Sequence, residues 1–432
     1  MKAVDPDRLV RSRLRSEGKA VVLLDSAGRP AARHDGPIYV AAAGKASSAM
    51  ARAVADTLGA ATRGDVITTE RGDLACGMTI HMGGHPLPTE QGSAATTAIL
   101  QAIAGSAPGT LILVLLSGGA SAMLVRPAAG LTVEDKVAVT TELLASGASI
   151  AEVNVVRKHL SAVKGGRLAR HAGGRPMWAL ILSDVIGDHL GTIGSGPTAP
   201  DPSTCSDALA VIARYGLEPH LPASVLEHLR KGLIDRGMET PKPGDRCFGN
   251  VRNEIVGSNT IALRAAALHA GERGFTPVVC DRPLGGDTTE AATRFARDLL
   301  QRCQEVRHPT CILAGGETTV RVRGIGRGGR NQEFALAAAL VLEGVDGVDL
   351  LSAGTDGVDG PTDAAGAFAN GQTVLEARAR GVDPRVALAT NDSYRFFETL
   401  GGLFRPGPTG TNVMDLKIAL LRPPGLRPAA GL

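Results

Sequence analysis

The chain has 432 residues, about two to three times the length of a common domain, with 44% hydrophobic residues and a mean hydropathy of +0.07, as expected of a globular protein with more than one core. Its 46 basic and 43 acidic residues leave a net charge of +3, and only 3% of residues are aromatic, so neither the basic surface nor the stacking platform of a nucleic-acid binder is expected. The N-terminus lacks an apolar leader core and the longest apolar stretch, FALAAALVLEG, falls short of the roughly 20 residues of a membrane span; with six scattered cysteines and no C-x-x-C pair, a reduced, cytoplasmic protein is predicted.

Apolar runs of strand length alternate with segments of helical period, which predicts parallel sheets covered by helices. In chain order the predicted strands are 38–43, 79–82, 111–116 and 178–183, followed by 253–258, 276–280, 311–316, 319–324 and 349–354. Between 116 and 178, Thr132-x-x-Asp135 and Ser149-x-x-Glu152 read as capping boxes of two helices stopping near Gly147 and Gly165. A helical stretch around 221–237 precedes ETPKPGDRCFGN (239–250), whose prolines and glycines mark a boundary between two α/β domains, 1–240 and 241–432.

Glycine, 55 residues against an average usage of roughly 7%, gathers just after the apolar runs, where open parallel sheets bind ligands. The strand tips read Gly44-Lys45, Gly83-Gly84-His85-Pro86, Ser117-Gly118-Gly119-Ala120-Ser121, Asp184 with Gly187-Asp188, Gly315-Gly316-Glu317 and Gly354-Thr355-Asp356. Turn chemistry alone favours Gly, Ser and Asp at any one such tip, but six together point to a site. SGGAS offers backbone N–H groups to a phosphate, whereas Lys45 fails the Walker pattern because Tyr39 and Ala46 stand at required Gly and Ser/Thr positions. A G-x-G-x-x-G at Gly324, Gly326 and Gly329 follows a strand that carries Arg321 and Arg323 and has no acidic residue about 20 positions on at the end of another strand, so a flexible loop presenting Arg327 and Arg330 is preferred to a dinucleotide site. Asn154, Arg157, Lys158, Ser161 and Lys164 form a polar stripe at helical spacing, read as a solvated face or an attractor of anions. GTDGVDGPTD (354–363) does not fit a calcium loop; Asp184, Asp188, Asp356 and Asp359 are magnesium candidates, and Asp363 a turn or cap residue.

These segments, together with NVVRKHLSAVKGGRLA, SDVIGD, GGETTV, GRNQEFALA, TDGVDGPTDAAGA and GPTGTNVMD, resemble the glycerate 2-kinase family of the MOFRL type over nearly the whole chain. The resemblance implies an N-terminal Rossmann-like α/β domain, a C-terminal α/β domain and an active site in the cleft, with ATP- and Mg²⁺-dependent phosphorylation of D-glycerate at its 2-hydroxyl by a monomer or homodimer. Carried over by motif, Lys45, Arg330 and Asp356 are expected to be catalytic and Glu317 and Asn412 to bind substrate. Ser117, Gly118, Gly119, Ser121 and Lys164 are expected at the nucleotide phosphates, and Asp184 and Asp188 at the metal. An NAD(P)-dependent hydroxypyruvate reductase is the alternative, and a sugar-acid binding protein a third reading.

Overall fold

The computed structural model describes residues 1–59, 62–70 and 77–423; Cys76 lies outside them. The chain forms two compact units, Pro6–Gly257 and Met1–Asp5 with Ser258–Leu432. No helix among the described residues is long and apolar enough to cross a membrane.

The Pro6–Gly257 unit opens with an antiparallel meander, β1 (Leu14–Glu17), β2 (Ala20–Leu24) and β3 (Pro30–His34). A six-stranded parallel sheet follows: β4 (Ile38–Ala43), β5 (Arg63–Thr68), β6 (Met78–Met82), β7 (Leu111–Leu116), β8 (Met177–Leu182) and β9 (Val251–Gly257). Every residue of β7 and β8 is buried, because helices cover both faces of a central parallel strand, and LILVLL and MWALIL meet that demand. The spatial order is β6-β5-β4-β7-β8-β9, that is 3-2-1-4-5-6 within the sheet, so the direction of winding reverses between β4 and β7. A crevice at the carboxyl ends of those two strands is where such a sheet takes ligands.

Beside the sheet, helices Val133–Ala145, Ile150–His159, Cys205–Arg214 and Ala223–Gly232 share a core of Val139, Leu143, Val153, Ile212 and Leu229. Both expected capping boxes are present, and a third, Thr204 with Asp207, starts Cys205–Arg214. Each such cap is worth about 1 kcal/mol. The helix begun at Ser149 ends at His159 rather than near Gly165, and the expected solvated stripe does not form. Asn154, Lys158, Ser161 and Lys164 are all buried: Asn154 and Lys158 are turned inward from the helix onto Ser195 and Asp201, and beyond His159 the chain turns, so helical spacing no longer sets the direction of Ser161 and Lys164.

The Pro/Gly stretch 239–250 is a loop inside this unit: the Asp201 N–H donates to the Pro241 carbonyl and the Cys205 N–H to Glu239. Strand β9 then pairs in parallel with β8, so the division falls at Gly257–Ser258 instead of at 240. The prolines interrupt secondary structure there without ending the sheet.

The second unit holds a mixed sheet of β10 (Thr276–Val279), β11 (Thr310–Gly316), β12 (Val348–Gly354), β13 (Gly366–Asn370), β14 (Leu403–Phe404) and β15 (Asp415–Leu421), ordered β10-β11-β15-β12-β13-β14. Strand β15 lies antiparallel between β11 and β12, in a register that places Asp415 opposite both Gly316 and Gly354. The carboxyl ends of β11 and β12 therefore flank the start of β15. Helices Thr288–Glu305 and Arg330–Leu342 cover one face through Phe295, Leu299, Phe334 and Leu342. Residues 319–324 are not a strand; only Thr319 makes a bridge, to Asp287, while the Arg323 and Gly324 N–H groups donate to Asn391 Oδ1 at 2.7 and 3.0 Å.

Candidate active site

At the reversal point of the parallel sheet, the tips of β4 and β7 are tied together. The Ser117 N–H donates to the Ala43 carbonyl, the Lys45 N–H to the Gly118 carbonyl, and the Ala46 N–H to Ser117 Oγ at 3.0 Å. Gly44 makes this possible: with φ of 129°, its absent Cβ would lie 2.2 Å from Ser117 Oγ. These bonds aim Lys45, whose side chain is exposed, out from the tip. Ser117 is 2% exposed and its hydroxyl accepts from Ala46, so it builds the turn instead of facing a ligand.

The two loop glycines are bounded by different side chains. A Cβ on Gly118 would meet Asp184 Oδ2 at 2.6 Å, and one on Gly119 would meet His85 Cδ2 at 3.0 Å. Asp184, at the end of β8, has its carboxyl pushed up by burial, with its own N–H and the Lys45 charge pulling the other way. Ser121 Oγ lies 3.1 Å from Ser195 Oγ, which in turn donates to Asn154 Oδ1 at 3.0 Å. The structure brings Lys45, Gly118, Gly119, Ser121 and Asp184 to one tip. Asp188 is partly exposed in the turn after β8.

Lys164 departs from expectation. It is 1% exposed and its Nζ donates to the Gly194 carbonyl at 3.3 Å; burial, then the charges of Lys136 and Arg157, drives its pKa well below the ordinary lysine value. Its amino group is an internal support of the 194–195 turn rather than a phosphate ligand.

In the second unit Arg330 opens the helix Arg330–Leu342 and forks onto Asp415, Nε to Oδ2 at 2.9 Å and Nη2 to Oδ1 at 3.0 Å, while Nη1 pairs with Glu317 at 3.0 Å. Burial opposes the Arg330 charge, but the Asp415 and Glu317 carboxylates raise its pKa on balance. Asp415 and Lys417 lie on the buried side of β15; Lys417 Nζ sits 3.4 Å from Asp415 and also donates to Asn331 Oδ1. Glu317 is exposed just past β11, Asp356 is partly exposed just past β12, and Asn412 precedes β15 with its Oδ1 accepting the Met414 N–H at 3.0 Å. The register described above thus groups Glu317, Arg330, Asp356 and Asn412 around Asp415.

The three carboxylates of GTDGVDGPTD do three different things. Asp356 Oδ1 accepts only a 3.2 Å bond from the Val358 N–H and stays within reach of solvent. Asp359, 1% exposed, accepts the N–H groups of Asn331 and Gln332 at 3.0 and 2.9 Å and the Gln332 amide at 3.0 Å, capping the helix from a distant part of the chain. Asp363 lies in the bend at 360–363 and caps no helix; its carboxylate accepts from the Tyr394 hydroxyl at 2.7 Å and pairs with Arg405 at 3.2 Å.

The glycine loop at 324–329 is packed rather than flexible. Cβ atoms on Gly324 and Gly326 would meet the Thr390 carbonyl at 2.3 and 2.5 Å, and one on Gly329 would meet Asp359 Cγ at 2.3 Å. Three of its backbone donors are engaged: Gly324 by Asn391 Oδ1, Gly326 by the Thr390 carbonyl and Arg327 by Asp392 Oδ1 at 2.9 Å. These glycines serve close packing, which removes the dinucleotide reading of the motif.

Two places have metal-ligand chemistry. Asp184 is a desolvated carboxyl beside a phosphate-type loop, which fits the one or two carboxylates that magnesium takes from a protein. His159, Cys205 and Glu239 have ligand atoms within 4.8 Å of one another, but Glu239 already accepts from the Cys205 N–H at 2.8 Å and from Lys242 at 2.9 Å, so this cluster is a structural hub. The sequence reading missed Asp415 and Lys417 because β15 was not recognised. The signal was the run DLKIALL, in which two opposite charges, Asp415 and Lys417, alternate with Leu416, Ile418 and Leu420 in the period of a strand.

Residues 1–230 match the family described as a domain of unknown function, DUF4147, and residues 310–415 match the MOFRL family. A D-glycerate 2-kinase from Thermotoga maritima is 40% identical over 391 residues, covering 89% of this chain and 90% of that protein. A relative from Agrobacterium vitis that carries a provisional hydroxypyruvate reductase name is 41% identical over 396 residues, 90% of this chain and 88% of that one. The crystal structure of a glycerate kinase from Thermotoga maritima matches with a TM-score of 0.84 at 38% identity, covering 98% of this chain and 96% of that chain.

Proposed function

Because the chain belongs to the glycerate kinase family, we propose that it transfers the γ-phosphoryl group of ATP to the 2-hydroxyl of D-glycerate, giving 2-phosphoglycerate and ADP. The observation that carries this reading is the exposed Lys45 beside the Gly118-Gly119 loop at the reversal point of a 3-2-1-4-5-6 parallel sheet. Phosphoryl transfer asks for positioning and charge more than for covalent chemistry, and these groups supply both.

Lys45 and the loop N–H groups bind the nucleotide phosphates. Arg330, held by Asp415 and Glu317, has donors left over from its five N–H groups and receives the glycerate carboxylate or the transferring phosphoryl group. Asp356 accepts the 2-hydroxyl proton as the glycerate oxygen bonds to phosphorus and the bond to the ADP oxygen breaks. Glu317 and Asn412 orient glycerate. Asp184, with Asp188 as second candidate, holds magnesium, which when bound offsets negative charge on the phosphate oxygens. A cytoplasmic setting belongs to the same reading, supported by five free cysteines among the described residues.

The test is an assay of purified protein with D-glycerate, ATP and Mg²⁺ that resolves 2- from 3-phosphoglycerate, beside hydroxypyruvate with NADH or NADPH. Metal-dependent 2-phosphoglycerate is expected. Nicotinamide oxidation without a phosphorylated product would overturn the reading.

A further inference from the structure

His85 has no place in the machinery above, yet its ring lies along the phosphate-type loop. The chain reaches it through Gly83 and Gly84 at the end of β6, two strands away from β4, and lays the imidazole against Gly119, the neighbour of the glycine that faces Asp184. Its Cδ2 and Nε2 would sit 3.0 and 3.5 Å from a Cβ at position 119, so any residue other than glycine there would be driven into the ring. Gly119 also has φ of 87°, a left-handed conformation that glycine tolerates. The residue keeps access to solvent although its ring is partly covered, and its nitrogens make no hydrogen bond among the described residues. A structural histidine ordinarily has a partner for at least one nitrogen, as His159 has in the Val155 carbonyl at 2.8 Å.

We propose that His85 is a ligand-binding residue of this tip, donating a ring N–H to a phosphate oxygen of the bound nucleotide from the flank of the loop at Gly119. The proposal rests on the kinase reading of the same site. Burial and the adjacent Lys45 charge both lower the His85 pKa, which keeps the ring neutral with one N–H to give. The division of labour is then clear. Lys45 supplies a full charge, the loop supplies backbone dipoles, and His85 supplies a directed donor that closes the side of the site where Gly119 leaves room.

Equilibrium binding of MgADP to the folded protein, measured by titration calorimetry alongside the kinase assay, tests this. His85→Ala is expected to raise Kd for MgADP about ten-fold, the worth of one hydrogen bond to a charged group, and His85→Gln, whose amide can stand in for the Nε2 donor, to restore it to within about three-fold. KM for glycerate should stay close to that of the unaltered protein in both. Wild-type-like MgADP affinity in His85→Ala overturns the proposal while leaving the kinase intact. Equal losses in His85→Ala and His85→Gln, with a lowered Tm in both, would also overturn it, by showing a packing role. Failure of the unaltered protein to bind MgADP or make 2-phosphoglycerate would defeat the kinase reading itself.

Discussion

The two strand-tip clusters treat their cations in opposite ways. In the Pro6–Gly257 unit Lys45 stands exposed, its backbone locked by Gly118 and its ammonium without an ion pair among the described residues, while Asp184 and His85 flank a loop of two glycines. In the second unit Arg330 is gripped before any ligand arrives, by both oxygens of the fully buried Asp415 and by Glu317. A point charge on a flexible stem can follow phosphates as they move and change charge. A planar fork clamped by carboxylates presents its remaining donors in one fixed direction. The difference assigns adaptable electrostatics to the first tip and rigid orientation to the second.

Exchanges at the two cations break this comparison most sharply. Lys45→Met and Arg330→Lys should each lower kcat/KM by about 10³, the scale of losing a group that stabilises the transferring phosphoryl charge. Lys45→Arg should lose only about ten-fold, because a point charge is what that position requires. Steady-state kinetics on the folded variants decides it. Equal tolerance of both exchanges would mean the Asp415 clamp has no orienting role.

The next effect is on stability. Asp359→Ala strips the helix Arg330–Leu342 of the acceptor for the Asn331 and Gln332 N–H groups and for the Gln332 amide, leaving buried donors unsatisfied. A loss of about 3 kcal/mol is expected. It should appear in denaturant unfolding. Asp356→Ala, three residues away and tied only to the Val358 N–H, should leave stability within about 0.5 kcal/mol while removing activity.

That contrast marks where the sequence was legible. Strands β4, β7 and β8 could be read because a strand buried on both faces must be apolar throughout, and the tips followed because glycine and a reactive residue succeed each run. The mixed character of the second sheet was hidden in β15, whose charges at 415 and 417 contradict the apolar rule until Arg330 and Asn331 are seen to pair with them. Position within GTDGVDGPTD could not be ranked either, since only the fold decides which carboxylate meets a distant helix N-terminus. Lys164 was misread for a related reason: helical spacing was carried past His159, where the helix stops. The prolines of 239–250 looked like a domain edge because sequence reveals an interruption, not the β8–β9 pairing that resumes after it.

The smallest effect tests whether the openness of the first tip belongs to the site or to the whole unit, because the same unit also holds a fully paired carboxylate. Burial pushes the Glu239 carboxyl up, but the Cys205 N–H, the Lys242 ammonium and His159 outweigh it and bring the pKa down to about 2, from 4.5. A folded-state pKa below the unfolded one stabilises the fold in full above about pH 4.5, and that stabilisation fades as pH falls from 4.5 towards 2. With part of the side chain in contact with solvent, the contribution is on the order of 2 kcal/mol. Glu239→Gln should therefore flatten the acid limb of stability against pH between about 4.5 and 2, while the affinity for MgADP near pH 7 changes little. If the acid limb were unchanged, the pairing at Glu239 would contribute nothing to the fold. If MgADP affinity fell with it, the exposed charge of Lys45 would depend on the paired interior of its own unit.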